Sequence, residues 1–258
     1  MEIGIMGLSA SGKTTVFKAL ARAKVEVATY ATTSTEPHRA VVHVPDARLE
    51  KLSALFKPKK TTPAEVRYLD VAGSLQTEGD PARSGQVTAQ LRSADALFLV
   101  IRTFVNDAVP HPLVTVDPLR DLRSLLDELI LSDLAVTEKR LERLERDLRF
   151  AAKGSPSEAV RERDLLNQIK SGLDAGRPAR DLGLSTADAK FLRGYGFLTA
   201  KPLLVLFNTG DSSDGIEEII EHARALVPFA QTEITSLAGK LEMELAELEP
   251  DEAREFMV

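Results

Sequence analysis

The sequence contains no cysteine, and it has no apolar stretch long enough to span a membrane. Without cysteine the chain has no disulfide bond, no thiolate metal site and no thiol nucleophile, a composition that fits a cytoplasmic protein. The N-terminus runs directly into a short apolar segment, with no basic leader followed by an apolar core. The sequence therefore predicts a cytoplasmic protein with no signal peptide and no membrane partner.

Basic residues are outnumbered by acidic ones. The 258 residues carry a net charge of −6, with a pI near 5.4. A protein that binds nucleic acid over its whole surface is expected to be basic, so we expect no direct sequence-specific binding to nucleic acid. Lys57, Lys59 and Lys60 form one short basic cluster, for which a solvated loop is the favoured interpretation over a binding patch.

A glycine-rich motif follows the first apolar segment. Residues 7–14 read G-L-S-A-S-G-K-T, which matches the P-loop pattern G-x-x-x-x-G-K-[ST] at every position, and a helical pattern follows. In such a loop successive backbone N–H groups surround phosphate oxygens, and the positive end of the helix dipole faces the same anion. We expect the nucleotide to be bound by Ser9, Ala10, Ser11, Gly12, Lys13, Thr14 and Thr15.

Two of these side chains have specific expected tasks. Lys13 should reach the β- and γ-phosphates, where it also counts as a catalytic residue, and the Thr14 hydroxyl should bind Mg²⁺. The motif D-V-A-G at residues 70–73 follows another apolar strand and matches D-x-x-G. Its Asp70 carboxylate can hold Mg²⁺ through water, and the Gly73 N–H can sense the γ-phosphate. Mg²⁺ is therefore the expected cofactor, with ATP or GTP as the substrate.

A third motif bears on the choice of base. Residues 208–211 read N-T-G-D, where GTP-binding proteins have N-K-x-D. The Asp211 carboxylate can accept hydrogen bonds from the guanine edge, but threonine replaces the lysine whose stem lies against the base. From the residues alone, ATP and GTP both stay open. Residues 30–37 are rich in Thr and Ser, and either a Mg²⁺-binding switch or an ordinary polar loop explains them.

Strand and helix patterns alternate over most of the chain, which indicates an α/β fold: a P-loop G domain with a doubly wound, mostly parallel sheet. Nearly continuous apolar runs at residues 97–101 and 203–207 suit strands that are buried on both faces. The predicted strands are residues 2–6, 40–44, 66–70, 96–101 and 203–207. The predicted helices are residues 14–22, 85–93, 215–226 and 241–248.

An unusually long helical pattern interrupts this alternation. Leucines at spacings of three, four and seven predict one amphipathic helix over residues 118–152. A turn at residues 154–157 and a second helix over residues 158–173 complete an αα-hairpin. Alternating acidic and basic residues along the first helix favour a solvated face over a binding strip. We therefore divide the chain into a nucleotide-binding domain, residues 1–117 and 196–258, and an inserted helical arm, residues 118–195.

Several stretches outside the P-loop are particular to one family. The sequence V-D-P-L-R-D at residues 116–121, the leucine-rich stretch at residues 125–144 and K-P at residues 201–202 resemble the YchF / Obg-like ATPase family. The segment at residues 240–248, with K-L-E and E-L-A-E-L, is similar to the same family. The resemblance covers essentially the whole chain. It implies a P-loop switch with slow hydrolysis, a preference for ATP, and a ribosome-linked partner that the arm contacts.

The resemblance also assigns residues. It places Ser34 on the family's metal-binding threonine, and it aligns Asn208 and Asp211 with a base-reading N-x-x-E in which aspartate replaces glutamate. Thr209 is counted as a nucleotide-binding residue with the N-T-G-D motif, and the resemblance implies that Gly239 and Lys240 lie in the last loop that contacts the base. It places His111 on a loop histidine that supplies a catalytic group in the family, and an ordinary loop histidine is the alternative.

Two departures from the family pattern affect function. Ser74 stands where small GTPases carry a water-orienting glutamine, and the glycine-rich segment after it is replaced by a sequence containing Pro81. The family continues into a C-terminal TGS-type domain, whereas this sequence stops at Val258. Slow hydrolysis is therefore the favoured function, and a nucleotide-binding regulatory module with little or no hydrolysis is the alternative. A P-loop kinase is a third, weaker reading.

Overall fold

A mostly parallel sheet forms the centre of the molecule. The computed structural model describes residues 1–22, 38–71, 81–150, 157–248, 252–253 and 255. Within this part of the chain the sheet has six strands in the order β2-β3-β1-β4-β5-β6. All neighbouring strands are parallel except β2 and β3, which are antiparallel. The strands are β1 Glu2–Met6, β2 His38–His43, β3 Glu65–Asp70, β4 Ala96–Arg102, β5 Leu203–Asn208 and β6 Thr232–Leu237.

Helices cover both faces of this sheet. On one face α3, α4 and α7 contribute apolar side chains to a shared core, and on the other face α1 does so. The central strand β1 lies between β3 and β4. The two strands that follow it in the sequence, β2 and β3, lie on one side of it, and β4, β5 and β6 lie on the other. In doubly wound folds ligands bind at the point where the strand order reverses in this way. The helices are α1 Lys13–Arg22, α2 Ala47–Phe56, α3 Pro81–Ser93, α4 Pro118–Phe150, α5 Ser157–Asp174, α6 Thr186–Leu192, α7 Ile216–Leu226 and α8 Gly239–Leu245.

The long helix α4 belongs to two cores. Leu122, Leu125 and Leu129, in its first half, are fully buried in the core of the sheet. Farther along, Leu141 and Leu144 pack against α5 in a separate apolar cluster. The first turns of α4 are thus anchored in the nucleotide-binding unit, and the second half forms the hairpin with α5. After α5 the chain returns to the sheet through α6 and short 3₁₀ turns.

A buried carboxylate joins the arm to the sheet. Asp133 in α4 is fully buried, and its oxygens accept hydrogen bonds from the Leu198 N–H at 3.0 Å and the Thr199 N–H at 2.7 Å. The Thr199 hydroxyl donates to the same carboxylate at 2.8 Å, and Arg92 Nη1 in α3 donates at 2.8 Å. Every oxygen of this buried anion therefore has partners, as burial of a charge requires.

Two elements were not predicted from the sequence. The sequence patterns assign no element to the segment that forms helix α2, and Asp46 caps this helix by accepting a hydrogen bond from the Arg48 N–H at 2.9 Å. Strand β6 has the sequence T-E-I-T-S-L, with exposed or half-buried side chains, and it lies at the edge of the sheet, where β5 is its neighbour among the described strands. Both segments carry few buried side chains, which is why their hydrophobic periodicity is weak.

Candidate nucleotide-binding site

The P-loop, residues 7–14, connects β1 to α1 at the carboxyl edge of the sheet. Two of its residues have left-handed backbone conformations, Ala10 with φ 61° and Gly12 with φ 91°. Gly7 has no room for a side chain, because a Cβ there would lie 2.3 Å from the Val100 carbonyl oxygen. The glycines of the motif are thus required by a left-handed φ in one case and by a close backbone approach in the other.

The Lys13 side chain folds back over this loop. Its Nζ donates to the Gly7 carbonyl oxygen at 2.9 Å and to the Leu8 carbonyl oxygen at 2.8 Å. Burial lowers the pKa of Lys13 below its usual 10.5, and the nearby Asp70 carboxylate acts in the opposite direction. The ammonium group is therefore held against the backbone of the loop by two carbonyl contacts.

Thr14 and Asp70 meet at the start of α1. The Thr14 hydroxyl donates to Asp70 Oδ2 at 2.9 Å, and the Asp70 side chain is buried. His38, at the start of β2, pairs with Asp70 in the sheet register, and its Nδ1 lies 3.7 Å from the same oxygen. The structure thus brings together the hydroxyl and the carboxylate that the sequence predicted as magnesium ligands. Both are oxygen donors, which is the ligand type that Mg²⁺ prefers.

Asn208 links three segments at the other side of the P-loop. Its Nδ2 donates to the Ser11 carbonyl oxygen at 3.0 Å, and its Oδ1 accepts from the Gly239 N–H at 3.0 Å. A Cβ on Gly12 would lie 2.1 Å from this Nδ2. The buried amide therefore sets the position of the predicted base-reading segments relative to the phosphate-binding loop.

The remaining predicted base contacts differ in their exposure. Asp211 is exposed, whereas Thr209 is buried and its N–H donates to the Leu237 carbonyl oxygen at 2.9 Å. Lys240, at the start of α8, is exposed and lies 3.8 Å from Glu244. Asp211 and Lys240 therefore have side chains that a ligand can reach, and Thr209 contributes to the loop through its backbone.

Arg102, at the end of β4, is a buried cation that the sequence analysis missed. Its guanidinium donates to the carbonyl oxygens of Phe104 at 2.8 Å, Val109 at 2.9 Å and Ala10 at 3.4 Å. It thus connects the P-loop with the segment that leads to His111. A lone arginine after an apolar strand was the signal available in the sequence.

His111 is buried rather than open to the site. Its Nδ1 accepts a hydrogen bond from the Leu113 N–H at 3.2 Å, and its Nε2 lies 2.8 Å from Asp121 Oδ2. The other oxygen of Asp121 accepts from Arg120 Nε at 3.0 Å. In this arrangement Nδ1 is hydrogen-bonded within the loop, and Nε2 is in close contact with Asp121 in the first turn of α4. The loop residue Val114 has a left-handed φ of 69°, which is strained for a β-branched side chain.

Three predicted positions lie outside the described residues: Ser34, Gly73 and Ser74. The Ser/Thr-rich segment at residues 30–37 and the changed segment after Ser74 fall largely there as well. Within the described ranges, no helix is long and apolar enough to cross a membrane.

Comparison with known proteins identifies the family. Residues 2–139 match the family described as 50S ribosome-binding GTPase. The chain is 32% identical over 265 residues to the ribosome-binding ATPase YchF of Bacillus subtilis (strain 168), which covers 100% of this chain and 70% of that protein. Identity to the protein of the same description from Haemophilus influenzae is 32% over 259 residues, 99% of this chain and 70% of the relative.

A solved structure agrees with this match. The YchF GTPase of Schizosaccharomyces pombe superimposes with a TM-score of 0.79 at 25% sequence identity, over 99% of this chain and 70% of that chain. This fold agrees with the family match and with the sequence identity to the two relatives. The chain therefore belongs to the YchF family of P-loop nucleoside triphosphatases.

Proposed function

We propose that this protein binds and slowly hydrolyses a nucleoside triphosphate with Mg²⁺, and that the nucleotide state controls binding to the ribosome. ATP is the favoured nucleotide and GTP is the alternative. The observation that carries the proposal is the juxtaposition of Lys13, Thr14 and Asp70 at the carboxyl edge of the sheet, with the Thr14 hydroxyl 2.9 Å from Asp70.

The phosphate-binding part of the site is assigned to the P-loop. Lys13 exchanges its bonds to the Gly7 and Leu8 carbonyl oxygens for phosphate oxygens when nucleotide binds. The Ser11 hydroxyl is buried and has no hydrogen-bond partner among the described residues. An unpaired buried hydroxyl costs stability, so a phosphate oxygen near the loop would supply a missing partner.

Thr14 and Asp70 are the described residues that would hold Mg²⁺, and Ser34 is the third proposed ligand. The donor set fits a hard cation because it consists of a hydroxyl and a buried carboxylate that already approach each other. Mg²⁺ held by these residues would supply positive charge to offset the negative charge that develops on the phosphate oxygens during transfer to water. The chain's own residues position the cations around the phosphates. Asp70 orients the Thr14 hydroxyl, and Lys13 supplies a positive charge of its own.

Slow turnover follows from the groups available near the γ-phosphate. Gly73 is proposed to sense that phosphate through its N–H, and Ser74 is too short to orient water as a glutamine does. His111 can take a catalytic part only after its imidazole leaves Asp121, 2.8 Å away in the buried pair. The strained turn at Val114 lies three residues from His111 and lowers the cost of such a rearrangement.

The base-binding part of the site is assigned to Asn208, Asp211, Gly239 and Lys240, with Thr209 in the same loop. The exposed Asp211 carboxylate can accept from the amino group of either base through its two oxygens. Because aspartate is shorter than the glutamate of the family pattern, Asp211→Glu should restore reach toward adenine. We expect this substitution to raise the affinity for ATP relative to GTP.

A competition titration tests the choice of base. Wild-type protein and Asp211→Glu are each loaded with a fluorescent nucleotide, which is then displaced by ATP or by GTP. The proposal predicts displacement of the probe by ATP from wild-type protein, and a larger ATP-to-GTP affinity ratio in the variant. Displacement by GTP alone, at concentrations where ATP has no effect, would contradict the assignment of ATP.

The proposed partner, the ribosome, is taken from the descriptions of the relatives. They are described as ribosome-binding, and we assign a ribosomal partner and a cytoplasmic location to this chain on that basis. The hairpin of α4 and α5 is the proposed contact, and the division into residues 1–117 with 196–258 and an arm at residues 118–195 describes these two tasks. Leu122, Leu125 and Leu129 cross this division, because they lie within the arm's range and are buried in the core of the sheet, so they connect the arm to the nucleotide-binding domain.

A second candidate function is a nucleotide-binding module with little or no hydrolysis. The burial of His111 against Asp121 favours it, because the imidazole proposed to supply a catalytic group is already in contact with a carboxylate. Single-turnover hydrolysis of ATP with and without purified ribosomes separates the two functions. A measurable rate that ribosomes increase supports the switch, whereas nucleotide binding without turnover in either condition supports the module.

A further inference from the structure

Helix α2 exposes an apolar stripe to solvent. All ten of its residues are described and none of them is buried. Leu52, Leu55 and Phe56 are 53%, 73% and 73% exposed, respectively. Their spacing of i, i+3 and i+4 places them on one face of the helix. Isolated helices of this length are only marginally stable in water. Exposed apolar patches on folded proteins often mark binding sites for a partner. The exposed face of α2 is therefore suited to binding a partner.

The same segment is basic in an acidic protein. Residues 46–60 contain five basic and two acidic side chains, a local charge of +3, in a chain whose net charge is −6. One of the two acids, Asp46, is already paired with Arg48 at 2.8 Å. Lys57, Lys59 and Lys60 are exposed directly after the helix. We call the apolar stripe together with these lysines the α2 patch.

The position of the α2 patch separates it from the nucleotide site. Strand β2 runs antiparallel to β3, so His38 lies beside Asp70 at the edge that carries the P-loop. His43 pairs with Glu65 at the opposite edge, and α2 connects the two strands there. A partner bound to the α2 patch therefore contacts the far end of the sheet and leaves the nucleotide accessible.

We propose that the α2 patch docks into an apolar groove of a partner protein whose rim is acidic. Three apolar anchors at i, i+3 and i+4 are the pattern by which an amphipathic helix enters such a groove. The flanking lysines complement acidic rim residues, which favours encounter and fixes orientation. An RNA surface would pair with the lysines but would leave Leu52 and Leu55 without an apolar counterpart. This inference rests on the proposed function, which names the ribosome as the partner. We therefore assign the groove to a ribosomal protein.

The test uses the full chain and purified ribosomes. A photo-cross-linking amino acid replaces Leu55 in one variant and Ala54 in another, since Ala54 is also exposed but faces away from the stripe on the same helix. We expect position 55 to give an adduct that nuclease leaves intact and protease destroys, and position 54 to give much less. We also expect Leu55→Glu to weaken ribosome binding about tenfold, and Ala54→Glu to change it by less than about twofold.

Five results would overturn the inference. Ribosome binding that Leu55→Glu leaves unchanged, or that Ala54→Glu weakens equally, removes the role of the apolar stripe while the proposed function stands. An adduct from position 55 that nuclease destroys assigns the patch to RNA. An adduct of twice the chain's mass without ribosomes assigns it to self-association. If wild-type protein does not sediment with ribosomes, the ribosomal part of the proposed function fails, and the inference fails with it.

Discussion

At the residue scale, the P-loop holds a non-glycine residue in a costly conformation. Ala10 has a φ of 61°, in the left-handed region where a Cβ crowds the backbone. The carbonyl oxygen of Ala10 accepts from Arg102 Nη1 at 3.4 Å, so the strained conformation is held in part by a buried cation from β4. The strained residue and the side chain that helps to hold it, Ala10 and Arg102, are therefore far apart in the sequence.

Ala10→Gly should stabilise the fold. Glycine adopts a left-handed φ without the steric cost, so we expect the free energy of unfolding to rise by about 0.5–1 kcal/mol. Denaturant unfolding of the nucleotide-free protein measures this change. Ala10→Val is the matched control and should lower stability, because a β-branched residue tolerates this φ less well. A loss of stability in Ala10→Gly would contradict the strain at this position.

The buried carboxylate of Asp133 allows a second prediction at this scale. Asp133→Ala leaves the Arg92 guanidinium, which is 16% exposed, without its anion, and removal of one partner from a buried pair costs about 3–5 kcal/mol. Chemical unfolding should therefore show a large loss of stability. Asp174→Ala removes an exposed pair with Lys170 instead and should have little effect. Similar losses in the two variants would contradict the assigned role of Asp133.

At the element scale, the arm has its own polar contact between helices. Arg140 of α4 donates to both oxygens of Glu162 of α5, at 2.7 and 2.8 Å. The Tyr195 hydroxyl also donates to Glu162, and the Tyr195 and Phe197 rings stack with centroids 5.3 Å apart. Burial, with the Glu162 contact, raises the pKa of Tyr195 to about 12, so its phenol stays a donor. These contacts fix the crossing of α4 and α5 near the returning chain.

The pH dependence of the arm follows from Glu162. Its hydrogen bonds from Arg140 lower the pKa of Glu162 below the usual 4.5. A depressed carboxyl pKa stabilises the folded state fully above the unfolded value, and this stabilisation is lost as the pH falls through the folded value. Glu162→Gln should therefore be less stable than wild type near neutral pH, and the difference should shrink below about pH 4.5.

Unfolding curves of wild type and Glu162→Gln, recorded from neutral to acidic pH, test this prediction. Glu145→Gln serves as a control, since Glu145 is exposed and lies 3.9 Å from Arg149 on the surface of α4. A stability difference for Glu162→Gln that stays constant down to acidic pH would mean that its ionisation contributes nothing to the arm.

At the scale of the whole molecule, local patterns predicted the fold better than the contacts between distant segments. The apolar runs of β4 and β5 and the leucine spacing of α4 were sufficient, because buried strands and amphipathic helices impose their own periodicity. Helix α2 and strand β6 have little buried surface and so left no comparable pattern.

In the candidate site, too, local motifs were predictable from the sequence and contacts between distant segments were not. The P-loop is a contiguous motif whose backbone geometry determines its chemistry, so Lys13 and Thr14 could be assigned from sequence. Arg102 and Ala10 are 92 positions apart, and the burial of His111 against Asp121 depends on how α4 meets the sheet. Such contacts arise from tertiary packing, which no spacing in the sequence encodes.

The central claim is that the P-loop of this chain grips the phosphates of a Mg²⁺-bound nucleotide through Lys13. Equilibrium titration of ATP and GTP in the presence of Mg²⁺ tests it most directly, with Lys13→Ala beside wild type. Loss of a charge-assisted contact should weaken the affinity about ten- to a hundredfold. Lys18→Ala, on the exposed side of α1, should bind as wild type does. Equal affinities of wild type and Lys13→Ala would contradict the account.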